Sequence, residues 1–412
     1  MSNVLLDRER IKELFDLRSS LIPWTGGDRS ADPHAAWHEL RAAAPVHAGT
    51  LHALSGVDSE LFWHGLPEPD RPHFSAFSFA ACDHAHRTPE VFASSPGAVD
   101  AEGAVGYESS MLAMGGAQHR RYRALVQPSF VPAKAQWWIA KWIEETVHGL
   151  IDSFVDQGAA ELNVDFCAAI PVLTITGSFG IDVARALDVR ERLRDPAAVA
   201  EIVTPIVAAR RDDPQDDLIS VLTQAEITED GSTHRLTDAE IHSFAYLLLA
   251  AGSGTTWKQM GITLAALLQR PELLDAVRAD RSLLKAAIEE SLRWEPTDPM
   301  FSRWVVEDTE LHGIDIPKGS VLHLCLGAAN RDPERWDRPD EYDPRREARI
   351  AMGFGGGPHI CLGMHVARAE MAVGIGAILD RLPNLRLDPD APPPELVGFY
   401  ERGVTEIPVV FG

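Results

Sequence analysis

A cluster of glycines followed by a cysteine and an apolar helix is the feature that most constrains this fold. Residues 353–363 read GFGGGPHICLG, and the apolar spacing from Leu362 to Leu382 predicts a helix. Glycines let the backbone take positive φ or approach a flat cofactor closely. Cys361 therefore lies where a loop becomes a helix, and the unpaired N–H groups of a helix start favour a thiolate. A buried structural cysteine beside a glycine turn is the alternative.

The rest of the chain reads as helices with a small amount of sheet. Thr237 and Glu240 form a capping box ahead of an apolar run, which predicts a helix extending to about Leu268. The pattern also predicts helices within residues 118–180, from Pro271 onward and over residues 283–294, a hairpin or loop over 226–236, and sheet between Phe301 and Leu326. We therefore predict a mainly α fold with minor antiparallel β structure, in one domain spanning residues 1–412.

Composition argues against several classes of function. The net charge of −23 argues against a nucleic-acid binder, which needs a basic patch, and against adhesion to anionic lipid. The N-terminal residues 1–20 are charged throughout and lack the apolar core of a signal peptide. Lys258 and Gln259 interrupt the most apolar helical run, residues 244–268, so we expect a core helix and no membrane span. The four cysteines form no CxxC pair, which argues against a zinc module and favours a reducing, cytoplasmic compartment.

The cysteine segment resembles the haem-binding signature of cytochromes P450, which reads phenylalanine–x–x–glycine–x–basic–x–cysteine–x–glycine. The matching residues are Phe354, Gly357, His359, Cys361 and Gly363, and residues 364–370 continue as in bacterial members. The resemblance implies a triangular, helix-rich fold that encloses one haem b, with Cys361 as the iron ligand and Gly355 also beside the haem. A thiolate ligand donates electron density to haem iron and favours O–O cleavage.

Glu290 and Arg293 lie three residues apart and can share a helical face. Taken alone, the pair reads as an exposed bridge worth roughly a few tenths of a kcal/mol. In cytochromes P450, such a pair engages a second arginine ahead of the cysteine loop, and Arg346 fits that place. The resemblance therefore implies a buried structural triad.

One face of the helix after Thr237 carries small residues at its centre, and its members are Leu248, Ala251, Gly252 and Thr255. Close helix packing, with the Thr255 hydroxyl bonded back to a carbonyl, is one explanation. Residues 251–256 also resemble the oxygen-activation segment of cytochromes P450, in which Thr255 matches the threonine that orients water and delivers protons. Gly254 replaces the usual preceding acid, so Ser253 or Thr256 with ordered water is the expected substitute. Ala251 and Gly252 are expected against the haem.

The resemblance also assigns partners to the two haem carboxylates, which need cations or hydrogen bonds when buried. His119 and Arg123 match a histidine–x–x–x–arginine site, and Arg303 and His359 match two further partners; a solvated surface charge is the alternative for each. Substrate contacts are expected from the loop near residues 98–113 and from an apolar pocket with aromatic walls. The predicted pocket residues, each equally well explained as ordinary core, are Leu248, Ala251, Thr255, Thr297, Met300, Phe301, Phe399, Tyr400 and Val404.

The resemblance covers nearly the whole chain and implies a monooxygenase that inserts one atom of O2 into a hydrophobic small molecule. Electrons would come from NAD(P)H through a separate ferredoxin and ferredoxin reductase, because no flavin or iron–sulfur domain is visible in the sequence. We expect a cytoplasmic monomer with no nucleic-acid or membrane partner. Gly254 keeps a peroxide-driven peroxygenase open, and a haem-based ligand carrier or sensor is a third reading. Two lid helices are expected within residues 181–208, a stretch shorter than is usual for the family.

Overall fold

The computed structural model describes residues 7–17, 32–57, 70–95, 110–229 and 231–412. Most of the predicted substrate loop, residues 98–109, lies outside this described part. The remainder of that loop, residues 110–113, forms a turn that leads into the helix Gly116–Val126.

Helices account for most of the described chain. The predicted capping box is present, because the Thr237 N–H donates to a Glu240 carboxylate oxygen at 2.7 Å and the Glu240 N–H donates to the Thr237 hydroxyl at 3.3 Å. The α-helices are Arg8–Phe15, His34–Ala43, Leu51–Leu54, Phe79–Arg87, Gly116–Val126, Ala135–Trp138, Glu144–Phe154, Ala169–Ser178, Ala186–Arg192, Pro196–Asp212, Leu218–Gln224, Asp238–Gly254, Thr256–Leu268, Pro271–Ala279, Ser282–Trp294, Leu326–Ala329 and Met364–Arg381. Two of them, Ala186–Arg192 and Pro196–Asp212, occupy the region where the lid helices are expected.

The predicted single helix from Thr237 to about Leu268 is wrong in one respect, because the structure divides it at Thr255. The first part ends at Gly254, and Thr255 has φ of −102° before the second part begins at Thr256. Gly252 and Gly254 lower the local helix propensity. The Thr255 hydroxyl donates back to the Ala251 carbonyl at 3.3 Å, a bond that bends helices.

The strands form one larger sheet and several small ones. The five-stranded sheet has the order Val46–Ala48, His73–Ala76, Val321–Cys325, Met300–Val305 and Phe92–Ala93. Its pairs are antiparallel except for Val321–Cys325 with His73–Ala76, which is parallel. Antiparallel pairing also joins Arg386–Leu387, Pro408–Val410 and Ala159–Glu161 in a three-stranded sheet, and forms the hairpins Glu226–Glu229 with Ser232–Arg235, Thr309–Leu311 with Ile314–Ile316, and Leu396–Val397 with Gly403–Val404.

The main core surrounds the helix Thr256–Leu268, every residue of which is buried. The helices Ala169–Ser178 and Met364–Arg381 pack against it within the same apolar cluster. A helix that is buried on all sides belongs to the centre of a large domain. Within the described part of the chain, no helix is long and apolar enough to cross a bilayer. The predicted mainly α fold with minor antiparallel sheet is thus confirmed, with one parallel strand pair in addition.

Candidate active site

The cysteine loop is fixed by its own backbone and by the helix Phe79–Arg87. Gly355 and Gly357 have positive φ angles of 70° and 64°. A Cβ atom on Gly357 would lie 1.9 Å from the His86 carbonyl oxygen, so only glycine fits there. The Cys361 N–H donates to the Phe354 carbonyl at 3.0 Å. The loop therefore presents Cys361 from an ordered turn just before the helix Met364–Arg381.

Cys361 differs from the other cysteines in its exposure. Its side chain is accessible, whereas Cys82, Cys167 and Cys325 are buried. Surrounding protein atoms still remove most bulk water, and this desolvation raises the pKa of the Cys361 thiol, while the Gly363 N–H and Arg123 oppose the shift. The backbone N–H near the helix start thus lowers the pKa of the thiol, as predicted, but burial raises that pKa by more. A metal cation at the sulfur would reverse the balance and deprotonate the thiol.

The aromatic residue of the loop is also held from the following helix. The Arg368 guanidinium lies over the Phe354 ring, 4.6 Å from its centroid. Arg368 in turn donates to the Glu289 carboxylate at 2.9 Å. The ring orientation beside Cys361 therefore depends on an ion pair between two helices.

Five side chains form a cationic cluster next to the loop: His86, His119, Arg123, Arg303 and His359. The rings of His119 and His359 stack with centroids 3.9 Å apart. Arg123 donates to the Ile360 carbonyl at 2.8 Å. Arg303 Nη2 lies 3.1 Å from His86 Nδ1. The structure thus brings all four predicted haem partners together and adds His86, which no local sequence signal marks.

The cationic cluster holds an excess of positive charge. Burial, followed by neighbouring basic groups that include Arg303 and Arg123, lowers the pKa of His359 to about 3, and no acidic group is among the causes. Arginine can only donate, so His86 Nδ1 accepts from Arg303 and the His86 proton lies on Nε2. That Nε2 atom is buried and has no partner among the described residues. An excess of cations with an unpaired N–H fits an anionic ligand, and the two carboxylates of a haem supply that chemistry.

Thr255 and Ala251 lie on the accessible side of the divided helix. Ala251 is exposed and Thr255 is partly exposed, although most of the surrounding helix is buried. The Thr255 hydroxyl has only the long 3.3 Å bond to the Ala251 carbonyl. This hydroxyl donates only that long bond, so it can still accept a hydrogen bond from a water or a ligand.

Comparison with known proteins assigns this arrangement to a family. The family model for cytochrome P450 matches residues 185–399. The chain is 31% identical over 403 residues to the cytochrome P450 monooxygenase PikC of Streptomyces venezuelae, covering 93% of this chain and 92% of PikC. It is 32% identical to the nocardicin C N-oxygenase of Nocardia uniformis subsp. tsuyamanensis over 94% of this chain and 97% of that protein. This chain belongs to the cytochrome P450 family.

A solved structure agrees with this assignment. The chain resembles HmtN, a post-tailoring hydroxylase of himastatin biosynthesis, with a TM-score of 0.76 and 27% identity over 92% of this chain and 96% of HmtN. The predicted fold and the predicted class, a cytochrome P450 monooxygenase, are confirmed. The family also implies the predicted haem b cofactor, with NAD(P)H acting indirectly through redox partners.

Three predicted oxygen-site residues of this P450 are engaged elsewhere. The Ser253 hydroxyl donates to the Leu249 carbonyl at 2.7 Å, and Ser253 is buried. The Thr256 hydroxyl is hydrogen-bonded to the buried Glu370, whose pKa burial raises to about 8. The Cα of Gly252 faces Ile175, because a Cβ there would lie 2.9 Å from that side chain. Gly252 therefore serves helix packing, and the expected substitution of Ser253 or Thr256 for the missing acid is not supported.

The predicted triad is present and buried. Arg293 donates to both oxygens of Glu290 at 2.7 and 2.8 Å, and Arg346 donates to one of them at 3.2 Å. Arg293 also donates to the Asn330, Pro339 and Glu341 carbonyls. The alternative reading as an exposed helix pair is therefore wrong.

Most of the predicted pocket residues are core residues in the structure. Met300, Phe399 and Tyr400 pack with Trp37 in one apolar cluster, and each is at most 3% exposed. Val404 is buried in the main core. Thr297 uses its N–H and hydroxyl on the Gln259 side chain. Of the predicted pocket residues, Ala251, Thr255 and Phe301 keep accessible surface. Leu248 is buried, with 7% of its surface exposed.

Two acids between Trp294 and Phe301, one buried and one partly buried, were not predicted. Glu295 is bonded to Arg402, Arg331 and His34, and these partners hold its pKa low against the effect of burial. Asp298, three residues later, has a buried Oδ1 atom with no hydrogen-bond partner in the described part of the chain. The sequence could have indicated Glu295 and Asp298, because each is an acidic residue in an otherwise mostly apolar segment.

Proposed function

We propose that this P450 inserts one atom of O2 into a hydrophobic small molecule by hydroxylation, dealkylation or epoxidation. The observation that carries the proposal is the accessible Cys361, held on an ordered turn beside a cationic cluster with no anionic partner among the described residues. This combination matches the two needs of a haem, a thiolate for the iron and cations for the carboxylates.

The roles proposed for the residues follow from their positions. Cys361 holds the iron, and His119, Arg123, Arg303 and His359, together with His86, hold the haem carboxylates. Haem b supplies the oxygen chemistry when it is bound. Thr255 positions a water and passes a proton, because its hydroxyl is accessible and only loosely bonded within the helix.

Electron supply is proposed to come from a separate ferredoxin and ferredoxin reductase, which pass on electrons from NAD(P)H. The cysteines support this, because three are buried and Cys361 is committed, which leaves no cysteine set for an iron–sulfur cluster within this chain. All four cysteines are free, which also supports a cytoplasmic, reducing location. We further propose one domain over residues 1–412, because a single apolar cluster includes both Ile11 and Phe411. The expected monomeric state stays a prediction.

The names of the relatives do not indicate one substrate. They include a steroid C26-monooxygenase of Mycolicibacterium smegmatis at 30% identity and a biotin biosynthesis P450 of Bacillus subtilis at 31%. Proteins of similar identity to this chain thus carry names that point to different substrates. The names of the relatives therefore do not indicate the substrate class of this chain, which depends on its own pocket residues.

The ferrous carbonyl spectrum tests the proposal. The wild type should absorb at the position typical of thiolate ligation, and Cys361→Ser should lose that spectrum. Cys167→Ala serves as the control and should keep it, because Cys167 is buried away from the site. A wild-type spectrum typical of histidine ligation in intact protein would refute the assignment of Cys361.

Gly254 favours one second candidate, a peroxide-driven peroxygenase. Neither Ser253 nor Thr256 replaces the missing acid, so proton delivery rests on Thr255 and water. Product formation with hydrogen peroxide should be compared with product formation with NADH and a surrogate ferredoxin. Turnover with peroxide alone would favour the peroxygenase.

A further inference from the structure

Asp298 lies in a short loop whose backbone is pinned on both sides. The preceding residue, Thr297, donates its N–H to Gln259 at 2.9 Å, and its carbonyl accepts the Arg402 N–H at 2.7 Å. The following residue, Pro299, accepts the Gly327 N–H at 2.9 Å. The position of the Asp298 carboxyl group is therefore set by the fold.

The charges around Asp298 do not balance. Lys258 is the nearby cation, but its ammonium is bonded to Glu401, and the two side chains are 1% and 14% exposed. Lys258 and Glu401 neutralise each other, so Asp298 remains as one extra carboxyl group. Its Oδ1 atom is buried and has no hydrogen-bond partner in the part of the chain that the structure describes.

Glu295 shows how this chain stabilises a buried carboxylate for structural purposes. Two arginines and His34 contact Glu295, which is 1% exposed. Asp298 has no such set, and burial followed by the charge of Glu401 raises its pKa to about 7, although Lys258 opposes the shift. A cation bound beside Asp298 would favour the ionised carboxylate, as the partners of Glu295 do for that residue.

Asp298 lies just before the strand Met300–Val305, which carries Arg303 of the cationic cluster. Asp298 keeps part of its surface accessible, as do Phe301 and Thr255. The accessible part of Asp298 can therefore offer one carboxyl group to a ligand bound beside this strand.

We infer that this P450 takes a substrate with a cationic nitrogen, protonated or quaternary, which lies against Asp298 while the apolar part fills the remaining pocket. The inference rests on the proposed function and gives it a substrate class, lipophilic amines and ammonium compounds. Asp298 is a binding residue in this account, and it is not required for the oxygen chemistry.

Two probes of the same shape test the inference on the haem-loaded protein. Benzyltrimethylammonium and neopentylbenzene differ only in a charged nitrogen against a neutral carbon, and a quaternary nitrogen has no lone pair for iron. Equilibrium dialysis should show that the wild type binds the cation more tightly than the neutral probe, by about ten-fold or more.

Variants that each change one charge then test whether the preference for the cation depends on Asp298. Asp298→Asn keeps the shape and should abolish the preference for the cation, while binding of neopentylbenzene is unchanged or tighter. Glu401→Gln should also reduce the preference, because Lys258 would be released towards Asp298. Asp337→Asn makes the same charge change at a side chain that is 90% exposed, and it should keep the wild-type preference.

Two results would overturn the inference: a wild type with no preference for the cation, or an Asp298→Asn variant that retains it. If Asp298→Asn does not fold, the wild-type comparison and Glu401→Gln decide the question. The ferrous carbonyl spectrum is recorded on the same preparations. A spectrum without thiolate ligation counts against the proposed function, whereas a thiolate spectrum without cation preference counts against Asp298 alone.

Discussion

Two groups of arginines flank the cysteine loop, and they differ in whether a carboxylate of the chain pairs with them. In the Glu290 triad, both oxygens of the carboxylate are matched by Arg293 and Arg346, and the remaining Arg293 donors reach backbone carbonyls. In the cationic cluster, Arg123 and Arg303 contact only carbonyls and a histidine among the described residues. The triad is complete within the chain, whereas no carboxylate of the described residues pairs with the cationic cluster.

This difference separates structure from function. In a complete buried ion network every charge has its partner, so removing one member is costly, and no donors are left for a ligand. An incomplete one costs stability by itself and is stabilised by a ligand of the missing charge. The same contrast distinguishes Glu295, which has its cations, from Asp298, which does not.

The largest expected effect is from breaking the complete network. Arg293→Ala should reduce the free energy of unfolding of the haem-free protein by about 3–5 kcal/mol, because Glu290 keeps a buried charge without its main partner. Chemical denaturation measures this loss. Arg338→Ala, which breaks a pair with side chains 57% and 56% exposed, is the control and should cost less than about 1 kcal/mol. Equal losses of unfolding free energy in the two variants would show that the Glu290 triad contributes no more than an exposed ion pair.

Removing an arginine from the cationic cluster should change the stability of the haem-free protein little and weaken haem retention strongly. Arg303→Gln should leave the stability of the haem-free protein unchanged or higher, because it relieves repulsion within the cationic cluster. Haem loss to apomyoglobin should become about ten- to hundred-fold faster, since a charge-assisted hydrogen bond to a carboxylate is removed. Arg120→Gln, at an exposed position on the same helix as His119, should change neither quantity. Unfolding of the haem-free Arg303→Gln protein would show that the arginine is structural.

The sequence alone predicted those parts of the site that depend on local spacing. Cys361 with its glycines, the pair Glu290 and Arg293, and the pair His119 and Arg123 each lie within one short segment. What it did not predict depends on tertiary neighbours. His86 meets the site only through helix packing, and Met300 and Phe399 became core because Trp37 covers them.

The helix break illustrates the same limit. The capping box and the apolar run predicted the start and the end of the helical region correctly. Nothing in the apolar spacing marks Thr255 as the break, because periodicity records which face is buried and not whether each backbone bond is made. Glycines at 252 and 254 lower the helix propensity, but the break also depends on the bond from Thr255 to Ala251.

Glu370 provides a third test, because it is a buried acid bonded only to the hydroxyls of Thr174 and Thr256 among the described side chains. Its pKa is raised to about 8, against about 4.5 when unfolded. Between these values the native state holds a proton that the unfolded state has lost, so stability should fall as pH rises, by about 1.4 kcal/mol per unit. Glu370→Gln should remove this slope between pH 5 and 8 in denaturation experiments. Glu347→Gln, at a side chain 77% exposed, should keep the slope.

Thr255 is the one hydroxyl of the oxygen segment that is not firmly bonded elsewhere. In Thr255→Ala, product formed per NADH should fall by about three- to ten-fold, and peroxide should rise in proportion. This is less than the roughly 10²–10⁴-fold typical of acid–base groups, because an ordered water can take the place of the hydroxyl. Thr255→Ser should restore coupling. Wild-type coupling in Thr255→Ala would show that the threonine only packs.

The smallest effect is expected at Gly254, although family members usually have an acid there. A Cβ at this position would lie 3.7 Å from an Arg190 guanidinium nitrogen. The carboxylate of Gly254→Asp should therefore pair with Arg190 instead of supplying protons beside Thr255, so coupling should change less than two-fold. Gly254→Asn has the same shape without the charge and is the matched control. Any gain in stability of Asp over Asn should stay below about 1 kcal/mol, as for exposed ion pairs, and should vanish in an Arg190→Gln background. A clear improvement in coupling with Asp but not with Asn would instead show that the acid can take part in proton delivery from this position.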